Sequence, residues 1–197
     1  MGYPKTIDNG HGERLTFVGL DGDHLLVEST VEPGAGPPMH VHWLQTERMR
    51  VESGRMGVSI PGQADRFYGM GEMATFKPGV EHRFWNAGDE PLHLVGEVFP
   101  AHNLEYFLSA VYASIAESRG GRPGAFDAAY LLTRYRSEFA MTAIPPLVRR
   151  FVLPLQARVG RLLGRYGKFS DAPDPVVREA GAKLARRSAT SARSSAG

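Results

Sequence analysis

Cysteine is absent from the 197 residues. Disulfides, thiolate metal sites and a cysteine nucleophile are thereby excluded, and any metal ion must be held by nitrogen and oxygen side chains. No apolar run is long enough to span a bilayer. The opening residues, MGYPKTIDNGHGERL, lack the apolar stretch of a secretory signal, and Gly2 is not followed by Ser or Thr where a myristoylation signal needs one. The expectation is a cytoplasmic protein with no transmembrane segment. No Gly-rich phosphate loop follows a strand, no Ser-His-Asp arrangement stands out, and no repeat appears at solenoid periods.

What is present divides the chain in two. The composition, 42% hydrophobic and 22% charged, suffices for one core plus an appendage. Residues 1–100 carry eight Lys and Arg against fourteen Asp and Glu, whereas residues 101–197 carry fifteen against seven. The basic half could favour an acidic partner, but arginines solvating outer helix faces are the plainer reading. It holds no convincing helix-turn-helix, so nucleic acid is not an expected partner.

From Arg14 to about Phe99, short apolar runs (RLTFVGL, HLLVESTV, ERMRVES, RMGVSI, DRFYGM, EMATFKPG, EHRFWN, PLHLVGEVF) are mostly punctuated by Gly, Pro, Asn or Asp. That spacing predicts a β-sandwich or barrel. Leu20–Asp23 and Asn86–Asp89 read as hairpin turns. After Pro100 the period changes. Leu104, Phe107, Leu108, Val111, Tyr112 and Ile115 mark one face of a helix, AFDAAYLLTRYRSEF a second, and PPLVRRFVLPLQARVGRLLGRYG a third that Pro154 should kink or break. The third is basic and amphipathic. It reads as packed on the barrel or across a dimer with its arginines in water, or else as a membrane-surface or partner-binding helix. A short helix is possible near Pro175–Arg187, and the polar end should be disordered. The expected division is an N-terminal segment 1–13, a β-domain 14–100, a helical extension 101–168 and a flexible basic tail 169–197.

The chemistry sits in PPMHVHWLQTERMRVESG, residues 37–54. Alternation along a strand points His40 and His42 the same way, and puts Glu47 on one face with Met49 and Val51. Those apolar companions mark that face as inward. The change of parity between His42 and Glu47 requires a bend within Trp43–Thr46. A lone buried carboxylate and a buried charged imidazole are both costly. A divalent cation resolves both, and His82, which shares a face with Phe84 and Asn86 after the Pro78-Gly79 turn, is the best further ligand. Glu47 and His82 are also the candidates for direct participation in catalysis.

These residues resemble a family. Gly34, His40, His42, Glu47 and Gly54 match the spacing of the first cupin motif, and Gly71, Gly79, His82 and Asn86 that of the second, with Lys77 where the family has proline. The resemblance, over roughly residues 14–100, implies a mainly β fold: a double-stranded β-helix or jelly-roll barrel, here followed by an α-helical extension. It implies one divalent transition metal (Fe, Mn, Ni, Co, Cu or Zn) on His40, His42, Glu47 and His82, and a homodimer. His93 and Glu97 are candidates for lining the pocket or for the outer face. Met49, Phe84 and Met73 are candidates for an apolar lining or plain core, and Gln45 and Trp43 for the bend near the mouth. The expected activity is a metal-dependent reaction on a small oxygenated organic molecule, dioxygenase-like or of Lewis-acid isomerase or cyclase type. A non-catalytic ligand-binding or regulatory module is the alternative.

Overall fold

Strands form where β-branched and aromatic residues alternate with polar ones, and turns where glycine permits reversal. The computed structural model describes residues 2–176; the short helix and polar tail expected farther on lie outside the described residues. The strands are β1 (Lys5–Asp8), β2 (Glu13–Asp21), β3 (His24–Val31), β4 (His40–His42), β5 (Thr46–Ser53), β6 (Met56–Ser59), β7 (Arg66–Tyr68), β8 (Met73–Phe76), β9 (Arg83–Asn86), β10 (Leu92–Phe99) and β11 (Phe139–Met141). The helices are α1 (Leu104–Ala116), α2 (Ala125–Arg134) and α3 (Leu153–Leu162). One sheet runs β1-β2-β3-β10-β5-β8 and another β7-β6-β9, while β4 pairs with β11. Phe17, Leu25, Val51, Met56, Leu92 and Leu94 are among the residues of the shared core. The fold is mainly β, in the manner of a cupin jelly roll.

Each apolar run between Arg14 and Phe99 forms a strand. The β2–β3 hairpin turns at Gly22, which takes a positive φ of 61°. Asn86–Asp89 does not make a hairpin. β9 pairs with β6, whereas β10 pairs with β3 and β5, so the chain there crosses between sheets. The Asn86 side chain holds the crossing: its amide nitrogen donates to the Val31 and Glu90 carbonyls, and its oxygen accepts from the Gly88 N–H.

The helical half differs more from expectation. α2 ends at Arg134, and Phe139 leaves the helical pattern to pair with His42. β11 thus lies along the strand that carries the paired histidines. Glu138 fixes this return. It is fully buried; its carboxylate accepts from the Asn103 N–H and side-chain amide and from the Val176 N–H, and its carbonyl from the Trp43 N–H. One residue therefore ties together the start of α1, the bend after β4 and the end of the described chain. The third helix is preceded by a π-helical turn over Val148–Val152, and Pro154 stands in the first turn of α3. A proline has no N–H to donate, so the wider turn before it lets the chain continue without a break.

Glu138→Ala leaves several buried donors without an acceptor. It should cost about 3 kcal/mol of stability in denaturant melts, with metal content falling as β4 loosens.

Candidate metal centre

The four sequence-selected ligands come from two strands and one bridge. β4 supplies His40 and His42. His82, just before β9, faces His40 in an isolated antiparallel bridge. The two residues exchange both backbone hydrogen bonds, at 3.0 and 2.9 Å. Directly opposed residues project to the same side of a sheet, so this pair brings two imidazoles together. The turn before His82 aids it. Val80 N–H donates to the Lys77 carbonyl, Pro78 occupies the first central position, and Gly79 adopts φ 81°, a conformation that favours glycine. The Gly79 N–H then donates to the His42 carbonyl at 2.7 Å.

After the bend, β5 delivers Glu47, buried beside Met49 and Val51. Across the β5–β8 ladder Glu47 faces Phe76, and the Phe76 ring stacks on His82 with centroids 3.8 Å apart and planes 3° from parallel. Phe139 meets His42 edge-on at 5.4 Å. One donor atom from each of His40, His42, Glu47 and His82 falls within 4.8 Å of the other three. Donors about 2.1 Å from a common ion lie up to about 4.2 Å apart, so shifts of a few tenths of an ångström would close the set.

The hydrogen bonds decide which atoms face inward. His82 Nδ1 lies 2.9 Å from the Val80 carbonyl, and His40 Nδ1 2.9 Å from the Pro38 carbonyl. A carbonyl only accepts, so each Nδ1 carries the proton. A neutral ring then presents a bare Nε2 lone pair to the centre. For His82 that lone pair would meet Glu47 Oε2 at 3.0 Å, and His42 Nε2 stands 3.5 Å from the same oxygen. Two acceptors at that distance need positive charge between them, a proton or a metal ion. Three imidazole nitrogens and one carboxylate oxygen suit a first-row divalent ion, so the residues fit such a metal.

Electrostatics set the same donor state. Burial, reinforced by the neighbouring histidines, lowers His40 to about 3. Burial likewise lowers His42 to about 4 despite the opposing pull of Glu47. Burial would raise Glu47, but the hydrogen bond with His82 and the histidine charges outweigh it and hold Glu47 at about 2.

The softer candidates separate. Met49 and Phe84 are buried in the core. Asn86 is buried, and its side chain is committed to the sheet crossing. Gln45 is fully buried on the bend, and neither its amide nitrogen nor its oxygen has a protein partner among the described residues. His93 and Glu97 lie on the outer face, because on β10 it is Leu92, Leu94 and Val98 that point inward. His93 is exposed beside Thr30, and Glu97 is held by His24 and Arg48 at 2.7 Å each. Met73 also points outward and is half exposed, since Ala74 and Phe76 take the inner positions of β8. Trp43 donates its backbone N–H to the Glu138 carbonyl at 2.8 Å.

Three nearby residues escaped the sequence reading. Phe76 had a signal, sharing inward parity with Ala74. Glu13 had one too, sharing parity with the buried Leu15 and Phe17; burial pushes it up to about 7, against a hydrogen bond from Asn9 Nδ2 at 2.6 Å. Tyr112, read only as part of the apolar face of α1, gave no sign of its surroundings: burial, then the charges of Glu13, Asp8 and Glu47, drive its hydroxyl far above its ordinary value.

Parts of this chain are similar to known proteins. The family model for the cupin domain matches residues 27–98. The probable oxidoreductase virH of Hypocrea virens is 31% identical over 77 residues, 39% of this chain and 35% of that protein. The probable oxidoreductase patJ of Penicillium expansum is 38% identical over 108 residues, 55% of this chain and 27% of that protein. The chain thus spans about a third or less of these curated relatives. Among solved structures, a conserved protein with a double-stranded beta-helix domain from Klebsiella pneumoniae is 28% identical, with a TM-score of 0.40 over 44% of this chain and 75% of that one.

Two outcomes follow. Purified without added metal, the protein should carry about one transition-metal ion per chain by mass spectrometry of its elements, and His82→Ala should lose most of it. The metal-free protein should lose stability as pH falls. Unfolded histidines protonate near 6.5 whereas His40 and His42 resist to about 3 and 4, so between about 6.5 and 4 the unfolded chain takes up protons that the folded one refuses. Glu13 acts oppositely, its folded value of about 7 exceeding its ordinary 4.5 and weakening the fold as pH rises between them. Thermal melts of Glu13→Gln in chelator should show the histidine slope undiluted, and His40→Gln should flatten it.

Proposed function

We propose that this chain, whose residues 27–98 match the cupin-domain model, is a metal-dependent enzyme acting on a small oxygenated organic molecule, with oxygenase-type oxidation as the favoured reaction. The observation that carries the reading is the convergence of His40, His42, Glu47 and His82 with donor atoms inside 4.8 Å. The oxidoreductase names of virH and patJ favour oxidation, each resting on a partial match. A divalent ion bound there would supply Lewis acidity and, for a redox-active metal, a route for O₂ chemistry.

The chain's own residues supply the rest. Pro38 and Val80 carbonyls orient the His40 and His82 rings through their Nδ1 protons, so neither ring can turn without losing a hydrogen bond. Phe76 and Phe139 wall the His82 and His42 rings with apolar surface, which limits water. Glu47 stays ionised; detached from a metal it could accept a proton from a bound hydroxyl. Gln45, on the bend two residues before Glu47, brings a buried amide whose donor and acceptor are both without a partner among the described residues. We assign it to hydrogen-bonding the oxygenated substrate.

The test is O₂ consumption by the metal-loaded protein on a panel of catechols, flavonols and diketones. Turnover with at least one class is expected. Glu47→Gln should lower kcat by two or more orders of magnitude, and Gln45→Leu should raise KM more than it lowers kcat. Stoichiometric metal with tight ligand binding but no turnover, with or without O₂, would mark the chain as a ligand-binding module instead.

A further inference from the structure

Away from the metal centre, α3 and the π turn before it carry two opposed stripes. The inner stripe, Leu153 and Gly160, is buried. Helix approach there is close: a Cβ on Gly160 would sit 2.9 Å from the Phe126 ring of α2. The outer stripe is just as apolar but is left in solvent. Leu147 is 71% exposed, Phe151 59%, Leu155 62%, Val159 41% and Leu162 87%. Their spacing of three and four residues keeps them on one face. Scattered exposed leucines need no explanation, but a continuous row of them does. Of the expected readings, packing on the barrel or across a dimer or docking on a membrane or partner, the structure shows the inner stripe packed on α2 and leaves this row uncovered.

We propose that this outer face docks on an anionic lipid bilayer. Charge selects that occupant. Between Phe139 and Ser170 the sequence contains no Asp or Glu, yet it has Arg149, Arg150, Arg158, Arg161, Arg165 and Lys168. Arg150, Arg158 and Arg161 are exposed, and no carboxylate among the described residues pairs with them. Beside the apolar row, Arg158 and Arg161 join Arg136 around a cleft of about 520 Å³ between α2 and α3, whose other arginine, Arg134, is paired with Asp174. A guanidinium binds phosphate oxygens through two parallel N–H donors, so a cationic cleft next to an apolar row matches a phospholipid's headgroup and acyl chain. A symmetric contact between two copies through the same face would oppose arginine to arginine with no acid to offset them. The segment Val148–Leu162 would lie in the plane of the interface, and no helix among the described residues is long and apolar enough to cross.

The test is flotation of the full chain with phosphatidylcholine vesicles, with and without phosphatidylglycerol. Two variants accompany it, Leu155→Glu/Leu162→Glu and Arg150→Gln/Arg158→Gln/Arg161→Gln. All five positions are exposed, so circular dichroism and metal content should match the parent. The basic residues beyond Val176 remain in every protein, which isolates the contribution of α3. Binding is expected only to the anionic vesicles, and it should weaken as salt is raised. The arginine variant should bind roughly a hundredfold more weakly, and the leucine variant at least about tenfold. No vesicle binding, equal binding to both vesicles, or binding indifferent to the leucine variant would overturn the proposal. So would a dimer in sedimentation velocity that Leu155→Glu dissociates while vesicles are not bound.

Discussion

The site depends on one contact, the carboxylate oxygen of Glu47 held 3.0 Å from the Nε2 of His82 inside the protein. Because the Val80 carbonyl claims the proton on Nδ1, a neutral His82 faces Glu47 with a lone pair, and only positive charge reconciles the two. An exposed pair could separate into water at little cost. This one is walled by Phe76, bridged through its backbone to His40, and set by β5. The surrounding structure therefore maintains an electrostatic conflict that a proton or a metal ion relieves. The free energy of that relief is available for tight binding of the ion, as long as the scaffold does not relax first.

The helical half contributes to that rigidity. β11 runs along β4, and Glu138 buries a carboxylate among donors from Asn103 and Val176 while its carbonyl takes the Trp43 N–H. The histidine strand is short, only His40–His42, and short edge strands fray readily. Cover by β11 on one side and the His40–His82 bridge on the other compensates. The extension is thus part of what holds the centre in place, even though none of its residues belongs to the ligand set. Its far side is another matter: α3 spends one stripe on α2 and leaves the other to solvent, flanked by arginines.

Much of this was legible in the sequence, for identifiable reasons. Short apolar runs punctuated by Gly, Pro, Asn or Asp located the strands between Arg14 and Phe99, and period-two alternation turned Glu47 inward through its neighbours Met49 and Val51. Pro78-Gly79 announced a turn whose geometry the fold then uses to seat His82. The illegible parts share one cause: they depend on which distant segment becomes a neighbour. Asn86–Asp89 has hairpin chemistry, but the strands on either side pair elsewhere. Phe139 continues the helical periodicity of α2, and only pairing with β4 draws it out of that helix. Glu97 reads as a possible pocket acid by type, whereas the register of β10 against β5 sets it beside Arg48 on the outside. The stack of Phe76 on His82 was hidden because nothing local links residues on separate sheets.

The most direct measurement is an anomalous-difference map from crystals soaked in Mn²⁺, Co²⁺ or Zn²⁺. A single strong peak about 2.0–2.2 Å from the Nε2 atoms of His40, His42 and His82 and from a Glu47 oxygen is the predicted result. A map with no peak among these side chains, or with the ion held by other residues while Glu47 and His82 keep their direct contact, would contradict the account.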